Sequence, residues 1–341
     1  MRKIMNLVLD PSYSHEDLHL HHYSQLQASA EIKIDPEHPL PELKGKTKLL
    51  IIIPFRDKWS MTEVCLNGLK AQQREGLEIL LALVDNGSIE EETKAGLNRA
   101  QKEFEASGFR FRHLRYEVPF NFSYLNNQAV RDCEDFKADV LALVNNDIEF
   151  IEPDSVLKLV CASYLPDAGA VGCTLLYPNQ KVQHLFVFVG SKIVGSHPYK
   201  GQDPNLDSKW YEQPRAVAAV TGAVMFIQRH DFEKVGGFDE RLPTSYQDVD
   251  LCLKFQKIGL INWVVPNIFL IHYETQTRSV EPSWKEAEYM ERKWGEYLIN
   301  NPYVSSVWSR KSEHFVFTPR AIFNRFLGKV SDSLLRFVGR Q

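Results

Sequence analysis

The chain has 341 residues, 44% of them hydrophobic and 25% charged, with a formal net charge of −4. This is globular composition, long enough for a large core in one or two domains, and it offers no basic field for nucleic acid. The five cysteines are scattered, with no CxxC pair, which argues against a disulfide framework or a structural zinc site; the apolar runs fall far short of the roughly 20 residues that span a bilayer.

Residues 1–46 read as a polar N-terminal extension. It carries a histidine cluster (His15, His19, His21, His22) and a proline-rich end (Pro36, Pro39, Pro41). No carboxylate or cysteine spacing accompanies the histidines, so a solvated leader is favoured over a metal site. The short apolar stretch after Arg2 and Lys3 is closed by Asp10, which makes a poor signal peptide and points to a cytoplasmic protein. The core opens at 48–54 (KLLIIIP), a buried strand ended by proline. A helix follows over 61–73, then a second buried strand at 79–84, a helix over 89–106, a third strand at 109–116, a helix over 124–133 and a strand at 140–144. Alternation of this kind predicts a mostly parallel, Rossmann-like sheet flanked by helices, the α/β class.

The second half is more mixed. A helix over 155–163, with Asp154 as N-cap, precedes strand-like pieces at 170–177 and 182–189. Residues 217–227 are apolar around Thr221-Gly222. Then come a short helix near Asp231, the turn Gly236-Gly237, a helix over 248–258, an apolar strand over 261–271 and a helix over 283–298.

Two strand ends carry the chemistry. The strand at 140–144 stops at Asn145, Asn146 and Asp147, three short side chains with oxygen ligands suited to Mg²⁺ or Mn²⁺. The strand at 79–84 runs into Asp85, Asn86, Gly87 and Ser88, where a base or ribose edge can be read. Either end can also be a plain polar turn. No GxGxxG and no Walker-type loop occurs, so a nucleotide here would be held by side chains, loop amides and a metal.

Together these segments resemble family 2 glycosyltransferases of the GT-A fold, of the bacterial rhamnosyl- and galactosyltransferase-like type. The resemblance rests on IIIPFRDK, VDNGS, PFNFSYLNNQAV, ALVNNDIEF, VGCTLLYPNQKVQH, VTGAVMFIQRHDFEKVGGFDE, QDVDLCLKFQKIG and HYETQTRS, in the family's order, over roughly residues 48–279. It implies a glycosyltransferase domain at 47–280, with a nucleotide-binding half at 47–147 and an acceptor and catalytic half at 148–280 that carries a smaller mixed sheet. A C-terminal helical segment would occupy 281–341.

Residue by residue, the resemblance implies that Pro54, Arg56 and Asp85 line the nucleoside pocket, and that Asn121, Ser123 and Asn127 approach the base and diphosphate. Asn145 and Asp147 match the first and third positions of the DXD motif, Asp147 being the principal metal ligand, and His272 would close the metal–diphosphate site. Thr221, Gly222, Asp239 and Gln247 border the acceptor and donor sugar. Asp248 matches the catalytic base, with Gln247 standing where the family usually has an acid. Asp248 and Asp250 can also be helix-start acids that complement the dipole, and His272 a simple strand end. Trp210, Tyr211 and Trp263 are core aromatics or sugar-stacking rings.

The implied reaction is an inverting, Mn²⁺- or Mg²⁺-dependent transfer of sugar from a UDP- or dTDP-linked donor to a glycan or lipid-linked glycan in bacterial surface polysaccharide synthesis. No nucleic acid partner is expected. A sugar nucleotidyltransferase would need a glycine-rich loop after the first strand, where this chain has PFRDKW; a non-catalytic nucleotide-sugar-binding protein would fit Gln247 but not the retained Asp147 and Asp248. Residues 320–341 place Phe323, Phe326, Leu327, Val330, Leu334 and Phe337 at three- and four-residue spacing among arginines and lysines. Such a basic amphipathic helix either lies on the inner face of a cell membrane or docks on the enzyme body.

Overall fold

The structure, a computed structural model, describes residues 40–190, 194–204, 206, 209–274, 283–304 and 311. The histidine cluster and the basic stretch 320–341 lie outside the described residues. The first half alternates β1 (Thr47–Phe55), α1 (Trp59–Lys70), β2 (Leu77–Asp85), α2 (Glu91–Ala106), β3 (Arg110–Arg115), α3 (Phe122–Asp132) and β4 (Val140–Val144). β1 pairs in parallel with β2 and β4, and β2 with β3. The unbroken apolar run of β1 follows from burial on both faces. Leu50 and Ile52 pack with Leu125 and Ala129 of α3 on one side. Leu49, Ile51 and Ile53 pack with Cys65, Leu66 and Leu69 of α1 on the other. Parallel pairing brings the carboxyl ends of these strands to one edge, with Phe55 opposite Asp85.

The second half comprises β5 (Ile148–Phe150), α4 (Ser155–Ala162), β6 (Ala168–Leu176), β7 (Val182–His184), β8 (Phe188–Val189), β9 (Gly195–Ser196), β10 (Arg215–Val217), β11 (Val224–Gln228), α5 (Arg229–Lys234), α6 (Gln247–Lys257), β12 (Ile261–His272) and α7 (Trp284–Ile299). One ten-stranded sheet runs β10-β12-β6-β11-β4-β1-β2-β3, with β5 on β12 and β7 on β6. β11 enters antiparallel between β4 and β6. The separate small sheet is the antiparallel pair β8–β9, so the mixed pairing lies within the large sheet.

Three local readings change. The apolar piece 217–227 is not one strand: residues 218–223 leave the ladder between β10 and β11, their backbone bonded partly by side chains and partly by the Val187 and Asn145 N–H groups. The Ala218 carbonyl accepts from Gln256 Nε2 and Asn262 Nδ2, at 2.6 and 3.0 Å. Gly172 makes room beneath, since a Cβ there would lie 2.8 Å from Val220 Cβ. The piece 182–189 likewise splits into β7 and β8. Asp154 precedes α4 but makes no side-chain cap; it pairs instead with Lys158 at 2.7 Å.

α7 docks on the body through Ala287, Met290, Trp294 and Leu298, all buried. No helix among the described residues is long and apolar enough to cross a membrane.

Candidate active site

At the end of β1 the chain turns through Asp57 and Lys58, both in the left-handed region at φ 51° and 47°. That strained pair is held from the β2 side. Asp57 Oδ1 accepts the Ile89 and Glu90 N–H groups at 2.8 and 2.9 Å, and the Asp57 N–H donates to Ser88 Oγ at 2.8 Å. Pro54 is half-buried and Arg56 exposed beside this turn. Asp85 is buried at the end of β2, accepting from the Ser88 N–H at 2.7 Å and from Arg115 Nη1 at 2.5 Å, with His113 Nε2 at 3.5 Å. Burial would raise its carboxyl, but the hydrogen bonds from His113 and Ser88 and the charge of Arg115 hold it well below the usual carboxylate range.

Asn121, Ser123 and Asn127 all engage the segment 237–243. Asn121 caps α3 through Tyr124 N–H and donates to the Glu240 carbonyl. Ser123 Oγ donates to the Leu242 carbonyl at 2.7 Å. Asn127 accepts the Phe238 N–H and donates to the Phe238 carbonyl and Glu240 Oε1. Asp239, within that segment, is tied to Arg241, Lys293 and Tyr289 at 2.8 to 2.9 Å. Its burial is outweighed by those three partners, and its carboxyl too sits well below the usual range.

The end of β4 faces the end of β12. The Asn145 N–H donates to the Ala223 carbonyl at 2.8 Å and Asn146 Nδ2 to Thr62 Oγ1 at 3.0 Å. His272 Nε2 stands 3.1 Å from Asp147 Oδ1, an atom that is buried and receives no hydrogen bond. Two donors on neighbouring corners of an octahedron with bonds of 2.0–2.1 Å lie about 2.9 Å apart. The pair therefore fits one edge of a divalent-metal shell. Among the described residues no group of three or more His, Cys, Asp or Glu forms a cage. A two-residue set leaves the remaining positions to water and phosphate oxygens, as such ions prefer.

From this pair a path of hydrogen bonds, joined by the peptide links Gln183-His184 and Thr221-Gly222, crosses to the candidate base. His272 Nδ1 meets Gln183 Oε1 at 2.6 Å. The next residue, His184, is buried, and its Nε2 accepts the Thr221 N–H at 3.2 Å while its Nδ1 faces His197 Nδ1 at 2.8 Å. Burial, with His197 and His272 nearby, pushes His184 well below the usual histidine range, which keeps it a neutral acceptor. The adjacent Gly222 N–H donates to Asp248 Oδ2 at 2.9 Å, and Val249 N–H to Asp248 Oδ1 at 2.8 Å. Asp248 is the second residue of α6, whose N-cap Tyr246 is left-handed at φ 64°.

The acids at 248 and 250 have different surroundings. Asp250 is fully buried and bonded to Trp294 Nε1 at 2.7 Å and Lys293 Nζ at 2.6 Å. Asp248 is half-buried beside Thr221-Gly222. Gln247 is 9% exposed, and its Oε1 has no partner. Tyr211 and Trp263 are core: Tyr211 stacks on Phe269 and Trp263 is wholly buried.

Gln183 and His184 lie in the segment VGCTLLYPNQKVQH, where the sequence assigns neither a role. The available signal was chemical: an imidazole ligand needs a partner on its other nitrogen.

Residues 50–204 match the profile described as Glycosyl transferase family 2. The uncharacterized protein y4gI of Sinorhizobium fredii is 31% identical over 82% of this chain and 31% of its own length. The O-antigen biosynthesis protein RfbC of Myxococcus xanthus is 31% identical over 82% of this chain and 21% of its own. An N-acetylglucosaminyl-diphospho-decaprenol L-rhamnosyltransferase of Mycobacterium tuberculosis is 26% identical over 60% of this chain and 70% of its own. The chain thus spans less than a third of the length of the first two relatives. Among solved structures, a mannosyltransferase from Pyrobaculum calidifontis in complex with GDP-Man and Mn²⁺ superposes with a TM-score of 0.53, at 14% identity, over 97% of this chain and 86% of its own. GalNAc-T7 with UDP, GalNAc and Mn²⁺ superposes with a TM-score of 0.56, at 14% identity, over 77% and 50%. The fold is GT-A, and the chain carries a glycosyl transferase family 2 domain.

Proposed function

We propose that the chain is an inverting glycosyltransferase that moves a sugar from a nucleoside-diphosphate sugar, UDP- or dTDP-linked, to a hydroxyl of a glycan or lipid-linked glycan. The observation that carries this reading is the path of hydrogen bonds and peptide links from the Asp147–His272 pair through Gln183-His184 and Thr221-Gly222 to Asp248. It links a metal-fitting donor pair to a fixed carboxylate, and the carboxyl end of the sheet is where open α/β folds bind ligands.

Asp85, at the same edge, is the group proposed to face the nucleoside, with Pro54, Arg56 and Asn145 beside it. A divalent cation held by Asp147 and His272 would stabilise the charge on the departing diphosphate. Asp248 takes the proton of the acceptor hydroxyl as that oxygen attacks the anomeric carbon from the face opposite the leaving group. Two backbone N–H groups fix the carboxylate for that task. Thr221 and Gly222 border the acceptor, and Gln247 and Asp239 lie on the sugar side. The likeness to proteins named for O-antigen biosynthesis and for rhamnosyl transfer to a decaprenol-linked sugar supports a role in surface polysaccharide assembly, at the cytoplasmic face of a membrane.

The test is Asp248→Asn. Loss of turnover by about 10²–10⁴-fold with donor binding kept within twofold is the expected result. Unchanged turnover would remove Asp248 as the base, and no turnover in the wild-type protein on any donor and acceptor tried would favour a binding protein.

A further inference from the structure

We infer that Gln183 is the positioning residue that selects the tautomer of His272 and so makes its Nε2 a metal ligand; this rests on the metal reading of the Asp147–His272 pair. Gln183 owes its aim to a bulge. Val182 pairs with Leu176 and His184 with Leu175, so β7 spends two residues where β6 spends one, and Gln183 is the extra one. A bulge re-aims side chains, and here all three residues of β7 are buried.

The orientation of the Gln183 amide is set by its neighbours. Its Nε2 lies 3.4 Å from the His272 carbonyl and 3.2 Å from Glu274 Oε2, both pure acceptors, so the NH₂ group must face them. Oε1 then faces His272 Nδ1 at 2.6 Å, and Nδ1 must carry the hydrogen. In the neutral ring this leaves Nε2 as a lone pair aimed at Asp147 Oδ1, 3.1 Å away. Two acceptors face each other there, and a cation between them satisfies both. Gln183 also donates to the main chain of the residue whose ring it orients, so ring and backbone are held together. A purely structural amide at this place would not need its oxygen on the imidazole.

The test uses the full chain labelled with ¹⁵N-histidine, His272 being assigned through His272→Gln. At a pH where the ring is neutral, wild type is expected to show His272 with its hydrogen on Nδ1 and Nε2 bare, with its signals broadened by added Mn²⁺. In Gln183→Met the half-saturating Mn²⁺ concentration should rise about 10–100-fold, with loss of the single tautomer. The double exchange Gln183→Glu with Glu274→Gln returns an acceptor to Nδ1 and a donor to its partner, and should restore binding to within a few-fold of wild type. A neutral wild-type His272 ring with its hydrogen on Nε2 and Nδ1 bare, or wild-type Mn²⁺ saturation in Gln183→Met, would overturn the inference while leaving the metal site standing. Absence of Mn²⁺ broadening in the wild-type protein would instead overturn the metal reading itself. Should Gln183→Met fail to fold, the wild-type tautomer and the double exchange still decide.

Discussion

The two halves of the molecule hold their site residues by different means. In the first half, Asp85 and the strained Asp57-Lys58 turn are fixed by adjacent strand ends: Ser88, Glu90, His113 and Arg115 all lie on or just beyond β2 and β3. In the second half, the segments around Asp239 and Asp248 are fixed from a distance. Lys293 and Trp294 of α7 reach Asp239 and Asp250, and Glu286 accepts the Thr244 and Ser245 N–H groups. The side proposed to hold the nucleotide is thus preformed by the sheet, whereas the side proposed to carry the base depends on docking of a late helix. Changes that loosen α7 should therefore impair catalysis before donor binding.

The largest expected effect on stability is that of Asp250→Ala. It leaves Lys293 and Lys254 beside a buried, vacated carboxylate position, and breaking such a pair costs about 3–5 kcal/mol. Urea unfolding should show that loss, and at permissive temperature turnover should fall while donor binding persists. Equal loss of both would mean that the halves are not separable.

Two glycines sharpen the contrast. A Cβ at Gly96 would lie 2.1 Å from the Trp59 ring, and one at Gly237 would lie 2.6 Å from Asn127 Oδ1 at a φ of +63°. Each alanine should cost about 1–3 kcal/mol. Thermal unfolding should drop for both, yet only Gly237→Ala should depress turnover, because it disturbs the segment that α3 clamps.

Acid titration gives a smaller effect. Asp85 and Asp239 both have carboxyls depressed in the folded protein. Their contribution is present above the unfolded value of about 4 and is lost as pH falls through the acid range toward their folded values. Arg115→Met should lower stability at neutral pH. The gap to wild type should close below about pH 4, as thermal unfolding across pH can show. Smallest is Arg99→Ala, which breaks only the exposed contact with Glu63 and should change stability by less than about 0.5 kcal/mol.

Legibility followed the same division. β4 was readable to the residue, and β1 and β2 to within two, because strands buried on both faces are continuous apolar runs closed by polar residues. The break of 182–189 and of 217–227 was not readable. Both segments are mostly apolar, and at Ala218 the ladder gives way to side chains from α6 and β12, far away in sequence. At the site, Asp147, His272 and Asp248 carry residue types that announce chemistry. Gln183 does not; its part depends on a bulge and on three partners that only the folded chain brings together.

The most direct measurement is donor binding and hydrolysis across a panel of UDP-, dTDP- and GDP-sugars, with and without Mn²⁺, on wild type and Asp147→Ala. Mn²⁺-dependent binding of one donor, lost in Asp147→Ala, is the result expected from a metal–diphosphate site at the end of β4. Metal-independent binding, or binding unchanged in Asp147→Ala, would contradict it.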